Sequence, residues 1–264
     1  MTSISSRHNP LVRSFRELAR TPDPSGVRLL LDGAHLVREA MAAGTELEAV
    51  AIASSRTTLT EEAAVARAAE DYGAPVLTVA QPAFAAVSPV RAPSGIVAIA
   101  RRTRSEAEDI CRRENGFVLV AVDVQDPGNL GSLIRAGEAG GVTGILVCGT
   151  SASPFSWKAV RGSMGSILRL PVTAGLSVDA AISCMRRYGG RIVAAVPRDG
   201  QDPDAVDWRG RLGLLVGGEG GGLSHAATAL ADDRVTIPMT APVESLNVAV
   251  AAAILVYAAR RQRP

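Results

Sequence analysis

The sequence predicts two consecutive α/β domains, the second with a mostly parallel β-sheet, and two observations support this prediction. Short apolar runs alternate with helical patterns along the chain, which is the order of elements in α/β proteins. A charged stretch at residues 101–114 interrupts this order, and a continuous apolar run at residues 117–124 restarts it with the composition of a buried parallel strand. We therefore predict an N-terminal domain at residues 1–108, a linker at 109–116 and a second domain at 117–264.

The N-terminal domain opens with a predicted helix at residues 6–18, where Leu11, Val12, Phe15 and Leu18 recur at helical spacing. A turn-rich segment follows it. Strands are predicted at residues 27–31, 47–53, 75–79 and 95–100, and helices at residues 34–43 and 60–72.

The second domain continues the alternation. Its further strands are predicted at residues 144–148, 170–173, 192–196 and 212–216, and its helices at residues 129–139, 155–163 and 179–188. Near the C-terminus, a β-branched run at residues 235–237 ends at Pro238, which cannot donate to a strand ladder. Residues 244–261 then read as a helix, and Ser245 and Asn247 are expected to cap its start. Alone, this pattern is that of an Ala-rich core helix.

The net charge of +2 gives no sign of a nucleic-acid partner from overall charge. Basic residues nevertheless cluster in three stretches that contain few acids. They are Arg7, Arg13, Arg16 and Arg20; Lys158, Arg161 and Arg169; and Arg186, Arg187, Arg191 and Arg198. Such clusters either bind phosphates or form ordinary solvated helix faces.

The three cysteines and three histidines are widely spaced and form no pattern of metal ligands, so we expect no metal site. An odd number of scattered cysteines is typical of a reducing compartment. The N-terminus lacks the apolar core of a signal peptide, and the longest apolar run, residues 248–259, is too short to cross a bilayer. The sequence therefore predicts a soluble, cytoplasmic protein with no membrane segment.

A buried strand passes into a helix through a tight turn at residues 125–128. Ligands of open α/β sheets bind beyond the carboxyl ends of the strands. Asn129 at the start of this helix and Arg135 further along it therefore indicate an anion or ribose site. The structural alternative is that Asn129 only caps the helix and that Arg135 only pairs with Glu138.

Residues 212–224 lead an apolar strand into a glycine-rich loop. The loop does not fit the dinucleotide-binding motif, because Leu223 stands where the third glycine belongs. Glycine offers left-handed backbone angles and close approach to a ligand. Since Glu219 would repel a phosphate, the loop is more compatible with a cationic or polar organic ligand.

Taken in order, three motifs resemble those of the SpoU/TrmH group of the SPOUT RNA methyltransferases. They are Asn129-Leu130-Gly131 with Arg135, Gly217-Gly218-Glu219-Gly220 with Gly222-Leu223, and Ile237-Pro238-Met239 followed by Ser245-Leu246-Asn247-Val248. Residues 153–165 resemble the family's link between the first two motifs. Residues 4–12 and 29–44 resemble the ribosomal-protein-like RNA-binding domain that precedes many of these enzymes. The departures are mild, since Asp32 stands where Glu is commoner and Gly218 where Asn is frequent.

The resemblance implies a fold and a cofactor. The C-terminal domain would contain a deep trefoil knot, with the chain after Gly217 threaded through an earlier loop, contrary to the general rule against knots. The cofactor would be S-adenosyl-L-methionine (AdoMet). The residues implied to line its pocket are Gly217, Gly218, Gly220, Ile237, Met239 and Leu246.

The resemblance also implies a reaction, the transfer of a methyl group to a ribose 2′-hydroxyl of RNA. The residues implied around that hydroxyl are Arg135, Asn129, Glu219, Ser245 and Asn247, and those implied to contact RNA are Arg7, Arg13, Lys158 and Arg161. The family's proposed base is the arginine, yet a guanidinium holds its proton tightly and is better suited to stabilising oxyanion charge. The sequence leaves both roles open for Arg135.

The N-terminal domain favours ribosomal RNA over tRNA as the substrate, by analogy of fold. The alternatives are a tRNA ribose 2′-O-methyltransferase and a catalytically silent RNA-binding or ribosome-assembly protein of the same fold. A nucleotide-binding metabolic enzyme is a third alternative, which the spacing of the glycines and Glu219 disfavour.

A homodimer through the C-terminal domain is the last implication of the resemblance. The apolar face of the predicted C-terminal helix contains Leu246, Val250, Ala253, Ile254 and Tyr257. Because the other positions are mostly Ala and Val, the helix must be buried on more than one side. We expect a second subunit to cover one side, and a Glu in place of Ala252 to separate the subunits. The alternative is a helix buried wholly within one chain.

Overall fold

A computed structural model of the chain describes residues 2–4, 6, 9–58, 60–90 and 93–263. The chain forms two compact units. The first contains Met1–Arg104 and Phe155–Arg169, and the second contains Ser105–Pro154 and Leu170–Pro264.

The first unit is a five-stranded mixed sheet covered by helices. Its strands are β1 (Thr2–Ile4), β2 (Arg28–Asp32), β3 (Glu46–Ala53), β4 (Val76–Val79) and β5 (Ile96–Arg101), and its first helices are α1 (Pro10–Arg20), α2 (Ala34–Ala42), α3 (Glu61–Asp71) and α4 (Gln81–Val87). The strand order is β1-β4-β3-β5-β2, in which β1, β4 and β3 are parallel and β5 is antiparallel to both of its neighbours. The predicted strands are all present, whereas β1 and α4 were not predicted.

The helices lie on opposite faces of this sheet. Val12 and Phe15 of α1 and Phe84 of α4 are buried in one cluster with strand residues such as Leu30 and Ala51. This burial confirms the helical spacing read from the sequence for α1. Neighbouring strand residues point to the other face, where α2 and α3 pack.

The second unit is a six-stranded sheet in which all strands are parallel. Its strands are β6 (Phe117–Val122), β7 (Gly144–Cys148), β8 (Val172–Leu176), β9 (Arg191–Ala195), β10 (Leu212–Gly217) and β11 (Asp233–Val235). Its helices are α5 (Ala107–Cys111), α6 (Pro127–Ala139), α8 (Val178–Arg187), α9 (His225–Ala229) and α10 (Val248–Arg260), while α7 (Trp157–Gly162) belongs to the first unit. The mostly parallel sheet is therefore as predicted. No described helix has both the length and the apolar character needed to span a bilayer.

The strand order of the second sheet, β11-β9-β10-β6-β7-β8, places the first strand in its interior. From β6 the chain moves outward to β7 and β8, and it then returns to the other side of β6 with β9 and β10. Ligands bind beyond the carboxyl ends of strands where the direction of chain progression reverses. In this unit that position is the edge at which β6 and β10 end.

Residues 155–169 were predicted to lie in the second domain, but they pack within the first unit. Trp157 packs against the cluster formed by α1 and α4, and α7 packs against β2. A Cβ atom on Gly26 would lie 2.4 Å from the ring of Phe155, so the ring fills the space beside that glycine. The apolar side chains of this stretch are thus part of the first unit's core. The functional domain boundaries themselves remain a prediction.

Helix α10 begins later than predicted, at Val248. The side chain of Asn247 caps it by accepting hydrogen bonds from the backbone N–H groups of Ala249 (2.9 Å) and Val250 (3.3 Å). The expectation that Ser245 also caps the helix was wrong, because Ser245 lies in the loop before the cap. Ala252 is fully buried within its own chain, so a Glu there would disrupt the fold rather than test a subunit contact.

Candidate active site

Three loops at one edge of the parallel sheet carry most of the predicted site residues. Strands β6 and β10 are neighbours, and Gly217 at the end of β10 pairs with Val122 at the end of β6. The glycine-rich loop and the start of α6 therefore begin side by side. The third loop follows β11 and leads to α10.

Asn129 is not the cap of α6. That role belongs to Asp126, whose carboxylate accepts a hydrogen bond from the backbone N–H of Asn129 at 2.8 Å, while Pro127 occupies the first turn. Since Asp126 caps the helix, the side chain of Asn129 is left for other contacts. The purely structural interpretation of Asn129 as a helix cap was therefore wrong.

The side chain of Asn129 joins three segments of the chain. Its Nδ2 donates a hydrogen bond to the carboxylate of Glu219 in the glycine-rich loop. Its Oδ1 accepts a hydrogen bond of 2.9 Å from Nδ2 of Asn247, the residue that caps α10. The capping bonds occupy the amide oxygen of Asn247, so its amide nitrogen is the group that donates to Asn129. Three of the five residues proposed to surround the reacting hydroxyl are thus directly connected.

Arg135 is exposed on α6, and within the described part of the chain its guanidinium makes no hydrogen bond or ion pair. The alternative interpretation, a salt bridge with Glu138, is therefore not what the structure contains. Ser245 is exposed in the loop before α10 and likewise makes no hydrogen bond to any described residue. The structure connects neither residue to the group formed by Asn129, Glu219 and Asn247.

The glycine-rich loop has two parts with different surroundings. A Cβ atom on Gly217 would lie 2.2 Å from the backbone of Gly222, and one on Gly218 would lie 1.9 Å from the carbonyl oxygen of Asp123. The N–H of Gly218 also donates to the carbonyl of Val122 at 2.8 Å. Gly217 and Gly218 are therefore required for close packing of one backbone on another.

The second part of the loop faces open space. Cβ atoms on Gly220, Gly221 and Gly222 would meet no atom of the described residues within 4 Å. Gly220 and Gly222 have positive φ angles of 87° and 61°. This part of the loop has the room and the backbone freedom that a bound ligand would require.

The remaining residues proposed for the cofactor pocket lie in the third loop. Ile237 and Met239 are half-buried beyond the end of β11, and Leu246 is exposed just before the cap of α10. The described residues contain no cluster of three His, Cys, Asp or Glu side chains that could hold a metal ion.

Of the residues proposed to contact RNA, Arg7 lies outside the described residues. Arg13 is exposed on α1, and Lys158 is exposed with its amine 5.7 Å from the centre of the Trp157 ring. Arg161 is exposed but lies 3.5 Å from the carboxylate of Asp32.

Asp32 itself is almost fully buried and accepts a hydrogen bond of 2.9 Å from Ser94. Burial raises the pKa of the Asp32 carboxyl, and the hydrogen bond from Ser94 and the charge of Arg161 offset this effect only in part. Asp32 therefore belongs to the interior of the first unit, and its carboxylate pairs with the exposed Arg161.

Asp123 also shapes this site, although it was not predicted. It follows β6 with a positive φ of 54°, and its carboxylate accepts hydrogen bonds from the backbone N–H (2.7 Å) and the hydroxyl (2.9 Å) of Thr150. Its backbone is also the surface against which Gly218 packs. An acid directly after a buried parallel strand was the available signal in the sequence.

The polar loops of this all-parallel sheet meet beyond β6 and β10, beside a glycine-rich loop with open space around it. These features define an α/β protein that binds an organic ligand at the switch point of its sheet. Residues 116–257 match the SpoU rRNA methylase family, and residues 9–98 match the MRM3-like substrate-binding domain. The chain belongs to the SpoU rRNA methylase family.

Relatives and solved structures agree with this assignment. An uncharacterised tRNA/rRNA methyltransferase of Synechocystis sp. is 32% identical over 100% of this chain and 95% of its own length. The 23S rRNA guanosine 2′-O-methyltransferase RlmP of Bacillus subtilis is 27% identical over 97% of this chain and 98% of its own length. An AdoMet-bound rRNA methyltransferase from Sinorhizobium meliloti superimposes with a TM-score of 0.83 at 27% identity, covering 100% of this chain and 98% of that one. The AdoMet complex of the SpoU methyltransferase AviRb from Streptomyces viridochromogenes superimposes with a TM-score of 0.82 at 26% identity, covering 97% of this chain and 98% of that one.

Proposed function

We propose that the protein transfers a methyl group from AdoMet to a ribose 2′-hydroxyl of RNA. The observation that carries this proposal is the hydrogen-bonded group of Asn129, Glu219 and Asn247. The helix that holds Asn129 also carries Arg135, whose guanidinium has no partner among the described residues. Three segments that are distant in sequence meet there through polar side chains at the ligand-binding edge of the sheet. A catalytically silent protein of the same fold would have no need to keep this arrangement.

AdoMet would be held by the glycine-rich loop and by the loop after β11. The open space beside Gly220 is compatible with a ligand, and Ile237, Met239 and Leu246 would supply apolar contacts. Gly217 and Gly218 would shape the pocket indirectly, because they let neighbouring backbone segments approach each other closely. When bound, AdoMet supplies a methyl group on a positively charged sulfur.

The protein's own residues would position the ribose and stabilise charge. A hydroxyl that accepts a methyl group must lose its proton, so orientation and electrostatic help are the main requirements. The guanidinium of Arg135 would stabilise the developing negative charge on the 2′-oxygen and anchor a neighbouring phosphate. Asn129 would hold Glu219 and Asn247 in place, and Ser245 would join them at the entrance of α10.

Ribosomal RNA is the proposed substrate, in preference to tRNA. Support comes from relatives that span nearly the same length, such as RlmP of B. subtilis, which acts on 23S rRNA, and from the match to a substrate-binding domain at residues 9–98. A cytoplasmic location follows from this substrate. The trefoil knot belongs to the same proposal, with the chain beyond Gly217 threaded through an earlier loop.

The protein is also proposed to act as a homodimer through α10. One side of α10 packs on α6 within the chain, with Ala252, Leu255 and Val256 buried. On the other side Leu246, Val250, Ile254 and Tyr257 are 37%, 49%, 41% and 50% exposed. Four large apolar side chains on one surface are typical of an interaction site, and a second copy of α10 would cover them.

Mapping of 2′-O-methyl groups tests the proposed function. Ribosomal RNA and tRNA from cells with and without the protein would be compared at nucleotide resolution. One site in 23S rRNA should disappear with the protein and return on incubation of the unmodified RNA with purified protein and AdoMet. A change confined to tRNA would shift the substrate to the alternative, and no change in either RNA would reject the proposal.

A further inference from the structure

Some cations of the first unit are paired with carboxylates and others are not. Arg28, Arg38, Arg101, Arg161 and Arg169 form ion pairs with carboxylates at distances of 2.6 to 3.9 Å. Arg13, Arg16 and Arg20 on α1 are exposed, and their side chains make no ion pair or hydrogen bond with any described residue. Among the described residues, the exposed Arg56 and Arg67 are also unpaired, but only α1 carries three such arginines on one helix.

The three arginines of α1 form one rigid row. They are spaced at i, i+3 and i+7, which places them on the same side of the helix, and the row is about 10 Å long at the rise of an α-helix. The opposite side of α1 is anchored in the core by Val12 and Phe15. Glu17 is the only acid on this helix and pairs with none of the arginines.

A fourth cation reaches the same face from a distant part of the sequence. Trp157 packs against the cluster that α1 covers, as do Leu11 and Ala19 on the flanks of α1. The amine of Lys158 lies 5.7 Å from the centre of the Trp157 ring, so the ring holds it by a cation–π contact. Because Trp157 packs against the cluster that contains Val12 and Phe15, the start of α7 lies on the side of the sheet that α1 covers.

We propose that Arg13, Arg16, Arg20 and Lys158 form a single surface, the α1 face, that binds the sugar-phosphate backbone of the RNA substrate. The inference rests on the proposed function. A row of unneutralised cations on a rigid support fits a polyanion and supplies position without reading sequence. Arg161, which the sequence suggested as an RNA contact, is excluded from the α1 face because Asp32 holds it. Arg16 and Arg20 are added to it.

The test measures RNA affinity as a function of salt. Wild type, Arg16→Ala/Arg20→Ala and Lys158→Ala would be titrated with an unmodified 23S rRNA transcript at several KCl concentrations. The matched control is Arg38→Ala/Arg67→Ala, which removes the same charge from α2 and α3 on the opposite face of the sheet. AdoMet affinity by calorimetry reports whether each variant keeps its second unit intact.

The double variant on α1 should lose on the order of tenfold in RNA affinity and flatten the salt slope by about one unit per lost contact. Lys158→Ala should flatten it by about one unit, and the control should match wild type. Equal losses in the control and the α1 variant, or unchanged slopes in all variants, would overturn the proposal. So would binding of wild type to phosphatidylserine vesicles that the α1 substitutions abolish while RNA affinity stays constant.

These outcomes separate the α1 face from the proposed function. If the wild type methylates RNA and the α1 variants bind it normally, the α1 face is wrong and the function stands. If the α1 variants lose RNA affinity but the wild type transfers no methyl group, the face stands and the function is wrong.

Discussion

The side-chain amide of Asn247 donates a hydrogen bond of 2.9 Å to the amide oxygen of Asn129, although the two residues are 118 positions apart. Asn129 in turn donates to Glu219, so a single amide links the starts of α6 and α10 with the glycine-rich loop. Rotating the amide of Asn129 would break its hydrogen bonds to Glu219 and Asn247. Rotating the amide of Asn247 would break the bond to Asn129 and the cap of α10. In this arrangement Asn129 acts as a positioning residue for the proposed site.

Replacement of Asn129 by Ala should lower the rate of methyl transfer by about 100-fold, the scale expected when catalytic groups are misplaced by about 1 Å. AdoMet affinity should change little. Asn129→Asp is the sharper variant, since it is nearly isosteric but brings a carboxylate against Glu219 and cannot donate to it. Single-turnover kinetics with saturating RNA measures the effect, and wild-type rates in both variants would contradict the positioning role.

Gly220→Val should abolish AdoMet binding, because a β-branched residue resists a φ of 87° and would fill the open space beside the loop. Gly73→Val is a matched control: Gly73 has a φ of 94° and equally open surroundings, but it lies in a turn of the first unit. Calorimetric titration with AdoMet distinguishes the two. Retained affinity in a folded Gly220→Val protein would place the cofactor elsewhere.

Asp32→Asn should change the pH dependence of stability in a defined direction. Burial raises the pKa of Asp32 in the folded protein, so the folded state binds this proton more tightly than the unfolded chain does. The stabilisation from this proton is complete below the pKa of Asp in the unfolded chain, about 3.9, and is lost as pH rises through the raised pKa of Asp32 in the folded protein. The free energy of unfolding of wild type relative to Asp32→Asn should therefore fall as pH increases above about 4. Urea unfolding of both proteins across this range is the measurement, and a difference that grows with pH would show the sign to be wrong.

Val250→Glu/Ile254→Glu should convert a dimer into monomers and reduce methyl transfer. Both side chains are partly exposed on α10, so the carboxylates can reach water in the isolated chain but would be buried without partners in a dimer. Ala68→Glu, at an exposed position on α3, controls for a general effect of surface charge. Sedimentation at micromolar concentration gives the oligomeric state. A wild-type monomer of 27.3 kDa that still methylates RNA would rule out the dimer.

The parallel sheet and the site segments could be predicted from the sequence, because continuous apolar runs and turn residues are local signals. The connections between side chains could not. Asn129 resembled a helix cap, and only the structure shows Asp126 in that role. The placement of Trp157 in the first unit depends on contacts with that unit's core cluster, which no spacing in the sequence records. Ala252 and Val250 look alike in an apolar helix, yet one is fully buried and the other is 49% exposed.

The most direct test of the central claim is transfer of a labelled methyl group. Purified protein would be incubated with AdoMet carrying a tritiated methyl group and with unmodified 23S rRNA, and the RNA would then be digested to nucleosides. We expect the label in one 2′-O-methylated nucleoside, reduced by about 100-fold or more in Arg135→Ala, as expected for loss of a group that stabilises transition-state charge. Label on a base, or no label from a wild-type protein that binds both AdoMet and RNA, would contradict the account.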